Sequence, residues 1–326
     1  TTNDIQMAYY SGLSELSLTA GFKLETNRIR SSMNEVPEFL KDSVTSSQWN
    51  YLEAGVFVRP SYVFKGKGYN INLTVPLIWQ KTDAGKQGSD KQSFHHFVWT
   101  PSLRFYWKFH HFWEFMATGS YKHSPTSYMN LNDTYYYKNR NLLQRGIDGL
   151  GMDKQTQGSL NLYYRNPFHA FWSRLNMTYT QNKSDLISGY DFIGTQPIYT
   201  WQMANRSYKQ FNVRGNVGKI VDAIQTNLDV SIGYSHTLYT QYQQKTLRDT
   251  RSNQGYFIFN SNTRITSWWD WELTWNSVVS HNNGYETLWN HQLATNMTFS
   301  FGKWTFIPKL DYTRNQLDAS QFKDAA

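Results

Sequence analysis

The sequence has 326 residues, a net charge of +8, 17% aromatic residues and no cysteine. The missing cysteines exclude disulfides and Cys-based zinc sites, and the scattered Lys and Arg residues, without a basic run, argue against nucleic acid as a partner. No stretch approaches the ~18 consecutive apolar residues of a transmembrane helix. With a mean hydropathy of −0.65, the chain combines a polar composition with an apolar surface made mostly of aromatic rings.

Strict alternation of apolar and polar residues is the main pattern along the chain. In the stretch "WWDWELTWN", Trp269, Trp271 and Trp275 hold odd positions, whereas Asp270 and Glu272 hold even ones. Successive side chains on a strand point to opposite faces, so this is a strand with one apolar and one polar face. The same alternation predicts a short strand at 3–10 and thirteen complete strands at 14–26, 50–64, 69–81, 95–108, 112–123, 154–165, 168–181, 206–218, 224–241, 253–265, 268–281, 287–301 and 304–315.

The predicted connections alternate between short and long. Short turns with long connections between them are typical of outer-membrane barrels, which have brief periplasmic turns and long extracellular loops. Strands of roughly 10–14 residues also exceed the ~5–6 residues usual in a soluble sandwich or propeller. We therefore predict an all-β fold, an antiparallel transmembrane β-barrel, in a bacterial outer membrane. The long connections are expected at about 27–48, 82–93, 124–153, 182–205, 243–252 and 282–287.

Aromatic residues cluster beside the predicted tight turns. Each ring has an apolar body and a wettable edge, which suits the headgroup level of a membrane, so we expect an aromatic girdle there. The expected partners of this surface are outer-membrane lipid and lipopolysaccharide, which the excess of positive charge favours. The predicted lipid-facing and girdle residues are Trp107, Trp113, Trp172, Trp269, Trp271, Trp275 and Trp304.

The strand count predicts an incomplete barrel. Judged by the turn lengths, the chain begins and ends on the extracellular side, whereas a complete bacterial barrel normally starts and finishes in the periplasm. An unpaired strand edge in lipid leaves backbone polar groups without partners. We therefore expect residues 1–326 to be a transmembrane barrel domain of about 13–14 strands, whose closing strands lie in a larger protein.

The stretch "AYYSGLSELSLTAGFKLE" at 8–25 resembles a recurrent hairpin in the barrels of TonB-dependent receptors. Its end follows the family pattern Ala-Gly-hydrophobic-basic-aromatic-acidic, with Leu24 where tyrosine is usual and Lys23 where arginine is commoner. The stretches "GYDFIG" and "FGKWTFIPKLDYTRNQLDASQFKDA" are similar to the related outer-membrane barrel proteins of Bacteroidetes.

This resemblance implies a barrel of about 22 strands filled by an N-terminal plug, which opens when TonB pulls on it. The plug would precede Thr1. It implies an importer of a nutrient too large for porins, such as a glycan, a peptide or a metal chelate, with the plug domain, TonB and a surface lipoprotein as partners. Two alternatives stay open: a TonB-independent pore or structural barrel subunit of an outer-membrane assembly, and a barrel that carries an enzyme.

No pattern in the sequence predicts a metal site or a cofactor. The pairs His95–His96 and His110–His111 put neighbouring imidazoles on opposite faces of a strand, so neither pair converges on one ion. We predict no metal and no cofactor.

The sequence also offers no specific catalytic pattern. The fingerprints of nucleophilic, zinc-dependent and nucleotide-dependent enzymes are missing. Asp270 and Glu272 share one strand face, where charges on a hydrated wall explain them better than acid–base catalysis. Ser120, His123 and Ser124 lie near one another in the sequence without forming a specific motif. We therefore predict that the chain has no catalytic residues and is not an enzyme.

Two of the long connections, 124–153 and 182–205, carry aromatic side chains beside amides and charges. Rings in such a setting suit stacking on sugars or docking of peptides. The alternative is that these loops fold over one another and cap the barrel. The predicted ligand-binding residues are Tyr128, Tyr135, Tyr136, Tyr137, Arg140, Tyr190, Asp191, Phe192, Tyr199 and Trp201.

Overall fold

The computed structural model describes residues 2–32, 46–86, 92–125, 135–139, 142–147, 151–193, 196–243, 246–283 and 287–318. These residues form one sheet of nineteen strands, with two 3₁₀ turns at Pro167–His169 and Asp222–Ile224. No helix in this part of the chain is long and apolar enough to cross a membrane. The strands are β1 (Thr2–Ser11), β2 (Ser14–Ser32), β3 (Ser46–Gly66), β4 (Tyr69–Thr74), β5 (Leu77–Lys86), β6 (Gln92–Trp99), β7 (Ser102–His110), β8 (Trp113–Pro125), β9 (Tyr135–Asn139), β10 (Leu142–Arg145), β11 (Met152–Asn166), β12 (Phe171–Ile193), β13 (Gln196–Val221), β14 (Thr226–Gln243), β15 (Thr246–Thr266), β16 (Trp269–Asn282), β17 (Thr287–Phe301), β18 (Trp304–Phe306) and β19 (Lys309–Asp318).

Three long strands are interrupted where a proline removes a backbone donor. Pro76 lies between β4 and β5, Pro101 between β6 and β7, and Pro308 between β18 and β19. Pairing continues past the first break, because the Val75 N–H donates to the Pro60 carbonyl at 3.0 Å, so each interrupted pair acts as one strand. With the β9–β10 hairpin set aside, the nineteen described strands make fourteen long ones, as the alternation predicted.

The long strands form a meander in which each one pairs antiparallel with the next in sequence. The ladder runs from β1 paired with β2 to β17 paired with β18 and β19. Long ladders hold it together: β2 and β3 match residue for residue from Ser14↔Phe64 to Ser32↔Ser46. Within the described residues, β1 pairs with β2 alone and β19 with β17 alone.

The register places apolar residues side by side on one face of the sheet. Leu160, Met177, Val213 and Tyr234 lie opposite one another across β11, β12, β13 and β14. The same face continues to both edges of the sheet. We call this side, which carries Leu160 and its neighbours, the apolar face, and the opposite side the polar face.

Burial on the two faces is the reverse of that in a soluble protein. On β14, Ser231 on the polar face is 2% exposed, whereas the adjacent Ile232 on the apolar face is 63% exposed. On β5, Thr82 is fully buried while Trp79 is 52% exposed. A sheet that exposes its large apolar side chains and packs its polar ones needs a hydrocarbon solvent on the exposed side.

The apolar residues of this face form a continuous stripe as tall as a membrane span, which we call the apolar band. On β2 it runs from Leu16 to Leu24, after which Thr26 and Arg28 hold the same side. This length is close to the ~9–11 residues that a tilted strand needs to cross a bilayer. The fold is that of an antiparallel transmembrane β-barrel wall, and the chain is a protein of the bacterial outer membrane.

Several strands extend far beyond the apolar band, which differs from the sequence prediction. The segment 182–205, expected as a long connection, is mostly strand: β12 continues to Ile193 and β13 begins at Gln196. With 23 and 26 residues, these two strands are about twice as long as a membrane span requires. The end of the sheet where they project is therefore structured, and we call it the long-connection end.

Candidate functional site

The β12–β13 hairpin changes its neighbours at the long-connection end. Within the apolar band, β12 pairs with β11 and β13 pairs with β14. Beyond the band, β13 pairs parallel with β10 at Leu143↔Ile198, and β12 pairs parallel with β14 at Gly189↔Tyr242. The hairpin has made a half-turn, which is consistent with the strong twist of two-stranded ribbons.

A bulge marks the point where the half-turn begins. The pairing of β12 with β13 shifts register between Ser184 and Leu186. The Ser184 hydroxyl accepts a hydrogen bond from the Leu186 N–H at 3.1 Å, and the Asp185 carboxylate accepts one from the Met152 N–H at 3.0 Å. These side chains satisfy backbone donors that the interrupted ladder leaves, and a bulge increases local twist.

The projecting hairpin has a hydrophobic core of its own. Leu143 is 0% exposed and Ile198 2% exposed, and Tyr135 packs against this pair. Leu186 and Ile187 are neighbours in sequence and are both 1% exposed. Because neighbouring side chains on a strand point to opposite faces, both sides of β12 are covered here.

Three aromatic residues on the projecting hairpin form what we call the aromatic platform: Tyr190, Tyr199 and Trp201. The rings of Tyr190 and Tyr199 meet edge to face with centroids 5.2 Å apart, and those of Tyr199 and Trp201 at 6.0 Å. The Tyr199 hydroxyl donates to the Ser188 Oγ at 2.6 Å. These contacts hold the rings in fixed orientations, which lowers the entropy lost when a ligand binds.

Two further contacts fix the surroundings of the platform. The Arg145 guanidinium lies over the Tyr135 ring, with Cζ 5.2 Å from the centroid. Gln202 donates to the Tyr242 hydroxyl, which ties β13 to the end of β14.

Burial raises the pKa of Tyr136, so this phenol stays neutral and can donate a hydrogen bond.

The predicted ligand-binding residues are divided between this platform and parts of the chain outside the described residues. Tyr128 and Arg140, together with the side chain of Tyr137, fall outside them. Asp191 and Phe192 lie beside the platform at the hairpin tip: the Asp191 carboxylate accepts from the Phe192 N–H at 2.9 Å. The Phe192 ring is about half exposed.

Six of the seven predicted girdle residues share the apolar face. The register sets Trp107 beside Tyr69, and Trp304 beside Phe301. The Trp271 indole N–H donates to the Thr295 hydroxyl at 2.7 Å, so that ring keeps a satisfied polar edge. The other residues on this face are Trp113, Trp269 and Trp275.

Trp172 is a correction to the predicted girdle. It pairs with Arg165 and Gly218, on the same side of β12 as Arg174, and therefore lies on the polar face. Its neighbour Phe171 takes the apolar side. The Trp172 ring covers Gly218, where a Cβ atom would collide with the indole, an arrangement in which an aromatic ring shields a cross-strand glycine.

The charged pair in "WWDWELTWNS" lies on the polar face. Asp270 receives a hydrogen bond from the Arg264 Nε at 3.1 Å, and Glu272 receives bonds from Asn262 and Asn296, each at 3.4 Å. Each carboxylate therefore has its own polar partners. This arrangement fits charges on a hydrated wall.

The His95–His96 pair and the serine group do not converge in the structure. His95 lies on the apolar face and His96 on the polar face. Among the described residues, no group of three or more His, Asp or Glu side chains is placed to hold a metal ion. Ser120 and Ser124 share the polar side of β8, whereas His123 points to the other side, opposite Lys154.

Sequence reasoning missed the residues that shape the projecting hairpin. Leu143 lies in a segment interpreted as a polar connection, Tyr242 lies just beyond the end of a predicted strand, and Gly189 was not singled out, although a Cβ atom there would overlap the Tyr242 carbonyl. The adjacent apolar residues Leu186 and Ile187 were the available signal. Two such residues in a row break the alternation of a membrane strand and indicate cover on both faces.

Comparison with known proteins gives likenesses of fold. No family model matches the chain, and no curated protein matches it. Among solved structures, the chain is similar to the copper transporter OprC, with 11% identity and a TM-score of 0.38 over 97% of this chain and 58% of that one. For the ferric-catecholate import receptor Fiu of E. coli K12 the values are 8% and 0.34, over 96% and 64%. At these TM-scores the likenesses carry no argument about substrate or mechanism.

One prediction is corrected by these comparisons. The chain was predicted not to be an enzyme, and that exclusion was wrong. OmpT, an outer membrane protein of Vibrio cholerae, is also among the similar structures, with 10% identity and a TM-score of 0.29 over 94% of this chain and 89% of that one. Proteins of unlike function share antiparallel barrels, so neither the fold nor the lack of sequence motifs excludes catalysis.

Proposed function

We propose that the chain is the barrel portion of an outer-membrane importer of the TonB-dependent receptor type. The observation that carries the proposal is the aromatic platform, held on a hairpin with its own hydrophobic core at the long-connection end. A nutrient captured there would be passed along a wall whose polar face lines the lumen. This division between a fixed recognition surface and a polar passage is what import of a large solute requires.

The ligand would meet exposed rings first. Tyr190 and Phe192 are each 49% exposed, and they stand beside the Asp191 carboxylate at the hairpin tip. Rings next to a hydrogen-bond acceptor suit a sugar, a peptide or a metal chelate with an aromatic part. The apolar face, with Trp107, Trp271 and the other girdle residues, contacts lipid and lipopolysaccharide in this proposal.

The partners of such an importer are part of the proposal. A plug domain would occupy the lumen against the polar face, TonB would act on the plug, and a surface lipoprotein would sit over the long-connection end. The barrel then belongs to a larger assembly of about 22 strands. Purification of the intact protein from outer membranes, followed by mass spectrometry of the barrel and its associated chains, would identify these components.

Conductance of the intact protein in a planar bilayer tests the plugged state. We expect a closed barrel with brief openings, because a plug fills the lumen. A steady, ohmic pore would contradict the importer and favour the alternative, a TonB-independent pore. A closed barrel that binds no solute at all would favour a structural subunit.

Binding measurements test the platform. Oligosaccharides, peptides and metal chelates are screened by isothermal titration against the intact protein in detergent. For a solute that binds, the double variant Tyr190→Ala with Phe192→Ala should weaken binding by about tenfold or more. Phe168→Ala is the control, because this exposed ring lies at the short turn. Equal affinity of the Tyr190→Ala/Phe192→Ala variant and the wild type would contradict the proposed site.

A further inference from the structure

The polar face carries a hollow whose charge the importer proposal does not use. It lies between β11, β12, β13 and β14 near the short turns, and has a volume of about 710 Å³. Three arginines line it, Arg165, Arg174 and Arg214, with Asp229 as the one carboxylate. Three guanidinium groups against one carboxylate leave a formal excess of two positive charges.

None of the three guanidinium groups forms an ion pair within the described residues. Elsewhere on this face, Lys23 is held by Glu53 at 2.7 Å and Arg264 by Asp270 at 3.1 Å. Unpaired basic side chains gathered in one hollow raise its positive potential and attract anions.

Aromatic rings hold two of the arginines in place. Arg174 lies over the Tyr163 ring with Cζ 5.2 Å from the centroid, and Arg214 over the Tyr256 ring at 5.9 Å. A stacked guanidinium uses its flat face and leaves the N–H groups along its edge as donors. These donors are therefore pre-positioned, and they match the paired oxygens of a phosphate or carboxylate.

Asparagines and one indole complete the lining. The Asn176 amide donates to the Asn161 carbonyl oxygen at 2.7 Å, and Asn216 donates to the Ser231 hydroxyl. The Trp172 ring, lying over Gly218, supplies an apolar wall. A rim of fixed amides around stacked arginines, with one apolar wall, has the composition of a small-molecule site.

We propose that this hollow binds a small solute that carries a phosphate or a pair of carboxylates. Arg174 and Arg214 would donate hydrogen bonds to the oxyanion, and Arg165 would add electrostatic attraction from the side of the short turns. The negative charge of Asp229 would limit the affinity, so that the anion can dissociate. The hollow is built from barrel-wall residues away from the aromatic platform, so loss of anion binding here and loss of solute binding at the platform can be measured independently.

Inorganic pyrophosphate is the probe, titrated calorimetrically into the intact protein in a neutral detergent. The variant R174Q/R214Q should weaken binding by about tenfold or more, since charge-assisted hydrogen bonds are lost. The matched control is R59Q/R264Q. Arg59 lies over the Phe57 ring and Arg264 is paired with Asp270, and neither lines the hollow. The affinity of this control variant for pyrophosphate should therefore stay within about twofold of the wild type.

A second variant works in the opposite direction. Asp229→Asn removes the only carboxylate of the hollow and should strengthen pyrophosphate binding about threefold or more. Misfolding cannot imitate such a gain, and gel mobility of unheated samples confirms folding of every variant. The proposal is overturned if the wild type does not bind pyrophosphate, if R59Q/R264Q loses as much affinity as R174Q/R214Q, or if Asp229→Asn leaves the affinity unchanged.

Discussion

The apolar band and the projecting β12–β13 hairpin bury opposite kinds of side chain. In the band, Ser231 is 2% exposed and Ile232 63% exposed. In the hairpin, Ile198 is 2% exposed and packs against Leu143 of β10, which is 0% exposed, as apolar residues do in a soluble protein. Both regions are built from the same antiparallel strands, so strand geometry does not decide which side chains are covered.

The solvent decides it. Hydrocarbon surrounds the band, and apolar side chains lose nothing by facing it, whereas backbone and polar groups must be satisfied within the sheet. Water surrounds the hairpin, where an exposed Leu186 or Ile187 would cost about 1.5–3 kcal/mol each. In the hairpin both residues are only 1% exposed, and the half-turn brings β10 alongside β13 as an additional strand.

The largest expected effect comes from Leu143→Ala. Removing a fully buried leucine side chain should destabilise the hairpin by about 2–5 kcal/mol, because a cavity remains. Hydrogen exchange should show lost protection at 196–203 and unchanged protection at 206–217. The same change at Leu160, which lies half-exposed on the apolar face, should have a much smaller effect. Equal losses at the two positions would remove the distinction between the regions.

A charge on the apolar face should be the next largest perturbation. Ile232→Lys places a cation at the seventh residue of β14, near the middle of the band, and should cost about 2–4 kcal/mol. Trp271→Lys, at the third residue of β16, should cost about 0–1 kcal/mol because it lies near the interface. Urea unfolding in phosphocholine vesicles measures both.

The matched control for these lysines is Gln254→Lys. Gln254 lies on the polar face, opposite Ser235 and Ser280. The new charge would meet water rather than hydrocarbon, so we expect a change within about 0.5 kcal/mol. A loss as large as that of Ile232→Lys would show that the two faces are not solvated differently.

Gly189→Val tests the half-turn of the β12–β13 hairpin directly. The new Cβ would overlap the Tyr242 carbonyl, so the contact between β12 and β14 should weaken by about 1–3 kcal/mol. Exchange at 240–243 reports the loss. Gly119→Val is the control, since nothing lies within 4 Å of a Cβ built there. If both variants behave alike, close approach at Gly189 is not what fixes the crossing.

The smallest expected effect is that of Tyr199→Phe. It removes the hydroxyl that donates to Ser188 and should cost about 0.5–1.5 kcal/mol in the hairpin alone. Tyr190→Phe, which keeps the ring contact with residue 199, should cost less. Exchange protection at 188–200 compares the two variants.

The sequence predicted the band well and the hairpin poorly, for the same physical reason. Lipid on one side and a polar interior on the other impose a period of two, which the residues of β2 and β16 show directly. Beyond the band that constraint ends, and β12, predicted to stop at 181, continues to Ile193. The long-range contact of Leu143 with Ile198 leaves no periodic trace, so single-sequence reasoning could not find it.

Other differences had a local signal. Pro76, Pro101 and Pro308 lie within predicted strands, and a proline inside a strand pattern indicates a break. For Trp172 the rule of alternation was outweighed by its closeness to other aromatics at a turn. Phe171 and Trp172 are adjacent, so they cannot both face lipid. The arginine hollow left no signal in the sequence because its three arginines come from three different strands and meet only through the register.

The crossing of β12 and β13 also constrains the order of assembly. β12 reaches β14 only by crossing β13, so the Gly189↔Tyr242 pairing requires all three strands to be in place. We therefore expect the contact between β12 and β14 to form late in biogenesis, so that its protection from hydrogen exchange would report a fully assembled wall.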